Sequence, residues 1–239
     1  MQIINQMIVG LGLIMALPGF AQPFRWEVNQ PFATFQGNSV KQAAQVDSVL
    51  KTTDRTDAMT LFIAANTAYV LKRIEDAGFL FHAASIRGAF DLQRYPPLAV
   101  GGNSPGVYLG FLRSNAGQEI NPALTEDPKI YISVTQKVAS WDCKAVAQYK
   151  PGWEYKTINT SSPSCEKIRD ERVQPMQAIS RLFGNPRYVS AFMQVKKYNL
   201  LPYKEKQLAD RKNTYDEALA IMLSIEKEAG LKGFAAYVK

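Results

Sequence analysis

Residues 58–71 read AMTLFIAANTAYVL, and this stretch decides the fold. Only Thr60, Asn66 and Thr67 interrupt its apolar character. Asp57 stands immediately before it, in the position of a helix cap. A helix that is apolar on most of its sides belongs at the centre of a bundle. This one is too short to cross a bilayer, which takes about 20 apolar residues.

The flanking segments follow the same logic. A helix is expected over about Asp76–Arg94, with Phe79, Ala83, Ile86 and Phe90 in one stripe at helical spacing. Pro96-Pro97 ends it. On the other side, Ser39 begins a helix that runs to about Thr52, with Gln42 completing a capping-box pattern. Residues 23–38 read as an irregular lead-in. Three later helices share one device, a capping residue followed by proline at the first helical position. They start at Ser104-Pro105, Asp127-Pro128 and Asn185-Pro186. Asn121-Pro122 reads as the start of a short turn. A last helix is expected over about Lys204–Ala229, with Leu208, Tyr215, Leu219 and Met222 on its apolar face and Gly230 as its stop. Strand signals are scarce: Ile130–Val134 is β-branched but follows Pro128, and Gly106–Leu112 is ambiguous. The fold class is all-α, an irregular multi-helix bundle with long loops at 95–103, 113–126 and 143–164. The segment Asp57–Arg94 resembles a single helical hairpin of the tetratricopeptide type in its small residues and aromatics. No second copy follows at a fixed period, and stacked repeats need about three.

The N-terminus points to export. Met1–Gln22 carries no charged side chain. An apolar run from Met7 to about Leu17 leads into Pro18, Gly19, Phe20 and Ala21, the layout of a secretory signal peptide with its small-residue cleavage site. A basic n-region is missing, and a buried N-terminal helix is the alternative. The expected organisation is a signal peptide over residues 1–21 and one α-helical domain over 22–239, periplasmic or secreted. The membrane enters only through the cleaved signal.

Export gives the two cysteines, Cys143 and Cys165, a meaning. In an oxidising compartment an even count favours a disulfide. The bridge would close a loop of about 23 residues, for which the chain-entropy model gives roughly 3.4 kcal/mol. Two cysteines and one histidine this far apart are not a zinc pattern. The formal net charge is +7 and the pI about 9.3. The basic residues are scattered, with Lys72-Arg73, Lys196-Lys197 and Arg211-Lys212 as the densest runs, which suits solubility better than a nucleic-acid site.

Catalytic motifs fail on physical grounds. Gly102-Asn103-Ser104-Pro105-Gly106 matches a nucleophile elbow in letters. The residue after that serine must donate its backbone N–H to the oxyanion, and Pro105 has none. The sole histidine, His82, lies upstream of Ser104 and has no carboxylate one helical turn away. It reads as a structural, hydrogen-bonded residue. The acids Glu75-Asp76, Glu126-Asp127 and Asp170-Glu171 are sequence neighbours, and neighbours on a helix do not face each other. Gly101-Gly102 reads as a plain turn. No catalytic residue, metal or cofactor is expected.

The Cys143–Cys165 segment carries the best functional signal. Tyr149, Trp153 and Tyr155 alternate with Lys150 and Lys156 around the turn dipeptide Pro151-Gly152. Aromatics on a pre-organised loop bind at low entropic cost. The competing reading is that Trp153 folds back onto the bundle as an anchor. The expected function is non-enzymatic: an exported protein that binds a partner protein, acidic in character, as periplasmic inhibitors and immunity-type proteins do. The alternatives are a cell-envelope hydrolase of wall polymer with an unrecognised carboxylate pair, and a binder of anionic lipid or wall polymer.

Overall fold

The computed structural model describes residues 33–237, so the expected signal segment, 1–21, lies outside the described residues. The chain is mainly helical. In order, the helices are α1 (Ser39–Leu50), α2 (Ala58–Val70), α3 (Ile74–Arg94), α4 (Pro105–Leu124), α5 (Pro128–Ser140), α6 (Cys165–Phe183), α7 (Pro186–Asn199), α8 (Tyr203–Lys206) and α9 (Ala209–Glu228). No strand is formed among the described residues; a single bridge joins Pro97 and Tyr155.

The apolar stretch at 58–71 is α2, and it is central. Its residues Ala58, Leu61, Ala64, Ala65 and Ala68 are completely buried. They pack against Ala77, Leu80, Ala83 and Ala84 of α3, which are equally buried. Alanines on both sides let the two backbones approach closely. The turn between them is made at Lys72, whose φ of 61° lies in the left-handed region. α4, α5 and α6 then pack around α3. Gly78 of α3 is required there, because a Cβ at this position would lie 2.5 Å from Leu124 Cδ2.

The remaining helices extend the same core. α7 packs on α9, and Phe183, Phe192 and Phe234 cluster between α6, α7 and the C-terminal turn. The Tyr188 hydroxyl is central to this end: it donates to Glu226 Oε1 at 2.7 Å and accepts from the Phe234 amide at 3.2 Å. The Ala235 amide donates to the same carboxylate oxygen at 2.9 Å.

The proline-started helices form as expected. Ser104, Asp127 and Asn185 each accept a backbone N–H of the first turn, with proline at N1. Asp57 caps α2 by accepting from Met59 and Thr60. Other expectations need correction. The cap of α1 is Asn38, one residue earlier than Ser39, and Gln42 reaches Phe35 O rather than the cap. α3 starts at Ile74 without a side-chain cap. Residues 113–126 are not an irregular loop: α4 continues through Pro122 to Leu124. The last helix is broken into α8 and α9, and Leu208 lies at the break, exposed, instead of on the apolar face. α6 is an addition that sequence reasoning did not anticipate. Ser164 caps it and Cys165 is its first residue.

Candidate functional site

Cys143 and Cys165 form a disulfide, with Cα atoms 5.9 Å apart and both residues buried. The bridge ties the chain just after α5 to the first turn of α6. The enclosed loop lies along the C-terminal end of α3. The Leu98 amide donates to Glu154 O at 2.9 Å, the Asn159 amide donates to Arg94 O at 2.8 Å, and Arg94 Nη1 donates back to Asn159 O at 2.9 Å. Gly152 turns the chain with φ of 84° beside Met59 and Asp57.

The five expected contact residues divide. Tyr149 faces inward: it is only 7% exposed and its hydroxyl donates to Asp91 Oδ2. It offers no face to a partner. Trp153 is half-buried against the core and its Nε1 donates to Tyr95 O at 2.9 Å, the anchoring role weighed against partner contact. Tyr155 is half-buried, with its ring 5.1 Å from that of Tyr95. Lys150 and Lys156 are exposed.

Beneath the loop lies a buried polar cluster that sequence reasoning missed. Arg87 and Asp91, one helical turn apart on α3, are both completely inaccessible to solvent. The Arg87 guanidinium lies 4.8 Å from the Tyr149 ring and 5.5 Å from the Trp141 ring, and donates to Thr53 O at 3.2 Å. The two rings supply cation–π contact, while Nε and Nη1 have no hydrogen-bond partner among the described residues. Trp141 is fixed in turn, with Nε1 donating to Thr53 Oγ1 at 3.0 Å. Burial pushes the Asp91 carboxyl up to about 7, against the opposing pull of Tyr149 and Arg87. Tyr149 is raised well above its ordinary value by burial and by the Asp91 charge. The cluster glues the loop to α3; it is closed to solvent.

The local acid pairs are divided among structural contacts. Glu75 pairs with Lys137 at 2.5 Å and accepts from Ser133 at 2.8 Å, which lowers its pKa. Asp76 pairs with Arg73, Asp170 with Arg169, and Asp127 caps α5. Ser104 is the cap of α4. Among the described residues no group of His, Cys, Asp and Glu is arranged to hold a metal ion, and no helix is long and apolar enough to cross a membrane.

An open concavity lies elsewhere among the described residues. α4 and α6 each lean on α3 but make little contact with each other. The gap between them is an open cleft of about 810 Å³. Its lining includes the buried apolar side chains Phe81, Ile86 and Met176 and the polar ones His82, Arg113 and Arg172. His82 Nε2 is shut off from solvent with no hydrogen-bond partner among the described residues, unlike the hydrogen-bonded role expected of it. Burial, then the charges of Arg113 and Arg172, lower its pKa to about 4, so the imidazole is neutral. Arg172 is itself lowered, by burial and by Arg113.

Each wall follows helical spacing. Gly110, Arg113, Ser114 and Gly117 share one face of α4, and Arg172 and Met176 one face of α6. That periodic signal exists in the sequence, but only once 113–124 and 165–183 are read as helix. No protein-family model, curated protein or solved structure matches the chain.

Proposed function

We propose that this is an exported protein that acts by binding a partner protein, not by catalysis, and that the outer face of the disulfide-closed loop makes the contact. One observation carries the proposal: the loop is closed by the disulfide and fastened to α3 and the residues just after it by hydrogen bonds on both sides of its turn, through Tyr149 before it and through Trp153, Glu154 and Asn159 after it. A loop held this way has little conformational freedom left to lose on association. Its outer face combines the exposed edges of Trp153 and Tyr155 with Lys150 and Lys156. An aromatic patch flanked by ammonium groups suits an acidic partner. The buried disulfide is consistent with residence outside the reducing cytosol.

The test uses the mature protein with a photo-crosslinking residue at position 157, exposed beside Lys156. One partner is expected to crosslink in the periplasmic or extracellular fraction. Lys150→Glu with Lys156→Glu should abolish that crosslink. Neither lysine has an internal ion pair among the described residues, so stability should change by less than about 0.5 kcal/mol. A crosslink that survives the double reversal, or none at all, refutes the loop as the contact surface. Mass spectrometry of the exported chain should find it starting at Gln22; retention of residues 1–21 refutes the export reading.

A further inference from the structure

We infer that the cleft between α3, α4 and α6 is a binding site for a small organic anion, a molecule whose carboxylate or phosphate group is taken by Arg113 and Arg172 and whose apolar body rests on Phe81, Ile86 and Met176. This site is independent of the loop surface and does not rest on the partner proposal.

The charge arrangement is the first argument. Two arginines converge on one cleft, and neither forms an ion pair or a hydrogen bond with the described residues. One acid, Glu171, also lines the cleft but is exposed and pairs with neither guanidinium. The lining therefore keeps an excess positive charge. Arg113 disfavours the charge on Arg172, and both disfavour a charge on His82. Arg113 is exposed and Arg172 half-buried, so water screens part of this repulsion; an anion between them relieves the rest. A planar guanidinium matches carboxylate or phosphate oxygens in geometry and donor number.

Shape is the second argument. About 810 Å³ is the volume of a site for a small molecule. Gly110 of α4 borders open space: a Cβ there would meet no atom within 4 Å. Apolar side chains and a few polar ones share the lining, the combination that gives ligand sites affinity and orientation. The third argument is His82, which lines the cleft as a neutral, half-buried imidazole and so adds a polar group without adding positive charge; its Nε2 is shut off from solvent and would meet a ligand only after the ring rotates.

The test is calorimetric titration of the mature protein with phenyl phosphate and phenylacetate, with inorganic phosphate and benzyl alcohol as controls. At least one of the two organic anions should bind saturably at one site, about tenfold or more tighter than inorganic phosphate. Benzyl alcohol should not bind. The better of the two anions identifies the headgroup. Arg113→Gln and Arg172→Gln should each weaken binding by about tenfold or more while leaving Tm unchanged or raised, because neither side chain has an ion pair among the described residues to lose. A merely structural arginine would lower Tm instead. Gly110→Leu projects into open space, keeps the fold and should block the site.

Failure of both anions to bind at up to about 10 mM overturns the assignment. So does binding unaffected by both arginine substitutions, or inorganic phosphate binding as tightly as either organic anion. Dimerisation that the same three substitutions abolish also overturns it, in favour of an interface between copies of the chain.

Discussion

Replacing Tyr149 with phenylalanine should destabilise the protein by an amount that depends on pH, because the hydroxyl it removes serves a carboxyl that titrates near neutrality. Asp91 is inaccessible to solvent, and its Oδ1 has no partner. Tyr149 supplies the hydrogen bond to Oδ2. The folded state holds the Asp91 proton up to about pH 7, against an ordinary value of 3.8. The unfolded chain releases that proton earlier, so from about pH 4 to 7 the folded state binds more protons and stability falls as pH rises. The difference is worth about 4 kcal/mol across the whole window.

At about pH 5.5 Asp91 is neutral, and losing one hydrogen bond should cost about 1 kcal/mol. At about pH 8.5 it is ionised, and the lost bond served a buried charge, so the cost should be about 3 kcal/mol. The readout is the difference, about 2 kcal/mol, from urea unfolding followed by circular dichroism at both pH values. The difference between wild type and variant cancels other titrating groups. His82 is the chief of these: its depressed pKa gives stability that is lost as pH falls from about 6.5 toward 4. Tyr149 itself titrates far above the window. Equal losses at the two pH values would refute the reasoning, as would an Asp91→Asn variant whose stability between pH 4 and 7 falls as steeply as that of the wild type.

Two further predictions concern the fold. Replacing Cys143 and Cys165 with serine should lower unfolding free energy by about 3 kcal/mol, measured against the oxidised parent; an unchanged denaturation midpoint would mean the loop is held by its α3 contacts alone. Gly78→Val should destabilise by about 1–3 kcal/mol through overpacking, since its Cβ would lie 2.5 Å from Leu124 Cδ2; the measurement is thermal unfolding, and an unchanged Tm would mean that α3 and α4 separate without penalty.

The parts of this fold that could be read from sequence are those set by local chemistry. A capping side chain followed by proline satisfies the first orphan N–H groups and fixes φ, so Ser104, Asp127 and Asn185 announce their helices regardless of what packs on them. Proline inside a helix misleads for the converse reason. Pro122 and Pro175 each remove a ladder hydrogen bond; at Asn121-Pro122 the sequence reads as the start of a short turn inside an irregular loop, and α6, which holds Pro175, is not anticipated at all. The surrounding packing carries α4 and α6 through both positions, because tertiary contacts outweigh a local cost of about 3 kcal/mol.

The amino-acid sequence by itself determined that the chain is helical, that 58–71 is central, and that Cys143 and Cys165 could clip an aromatic loop, because periodicity, capping and compartment chemistry act over short distances. Which way each loop aromatic faces was a tertiary matter: Tyr149 turned inward to Asp91 because Arg87 and Asp91 of α3 needed covering. The cleft was tertiary too. Arg113 and Arg172 are 59 positions apart in the numbering, and only the packing of α4 and α6 onto α3 brings two positive charges to one unfilled space.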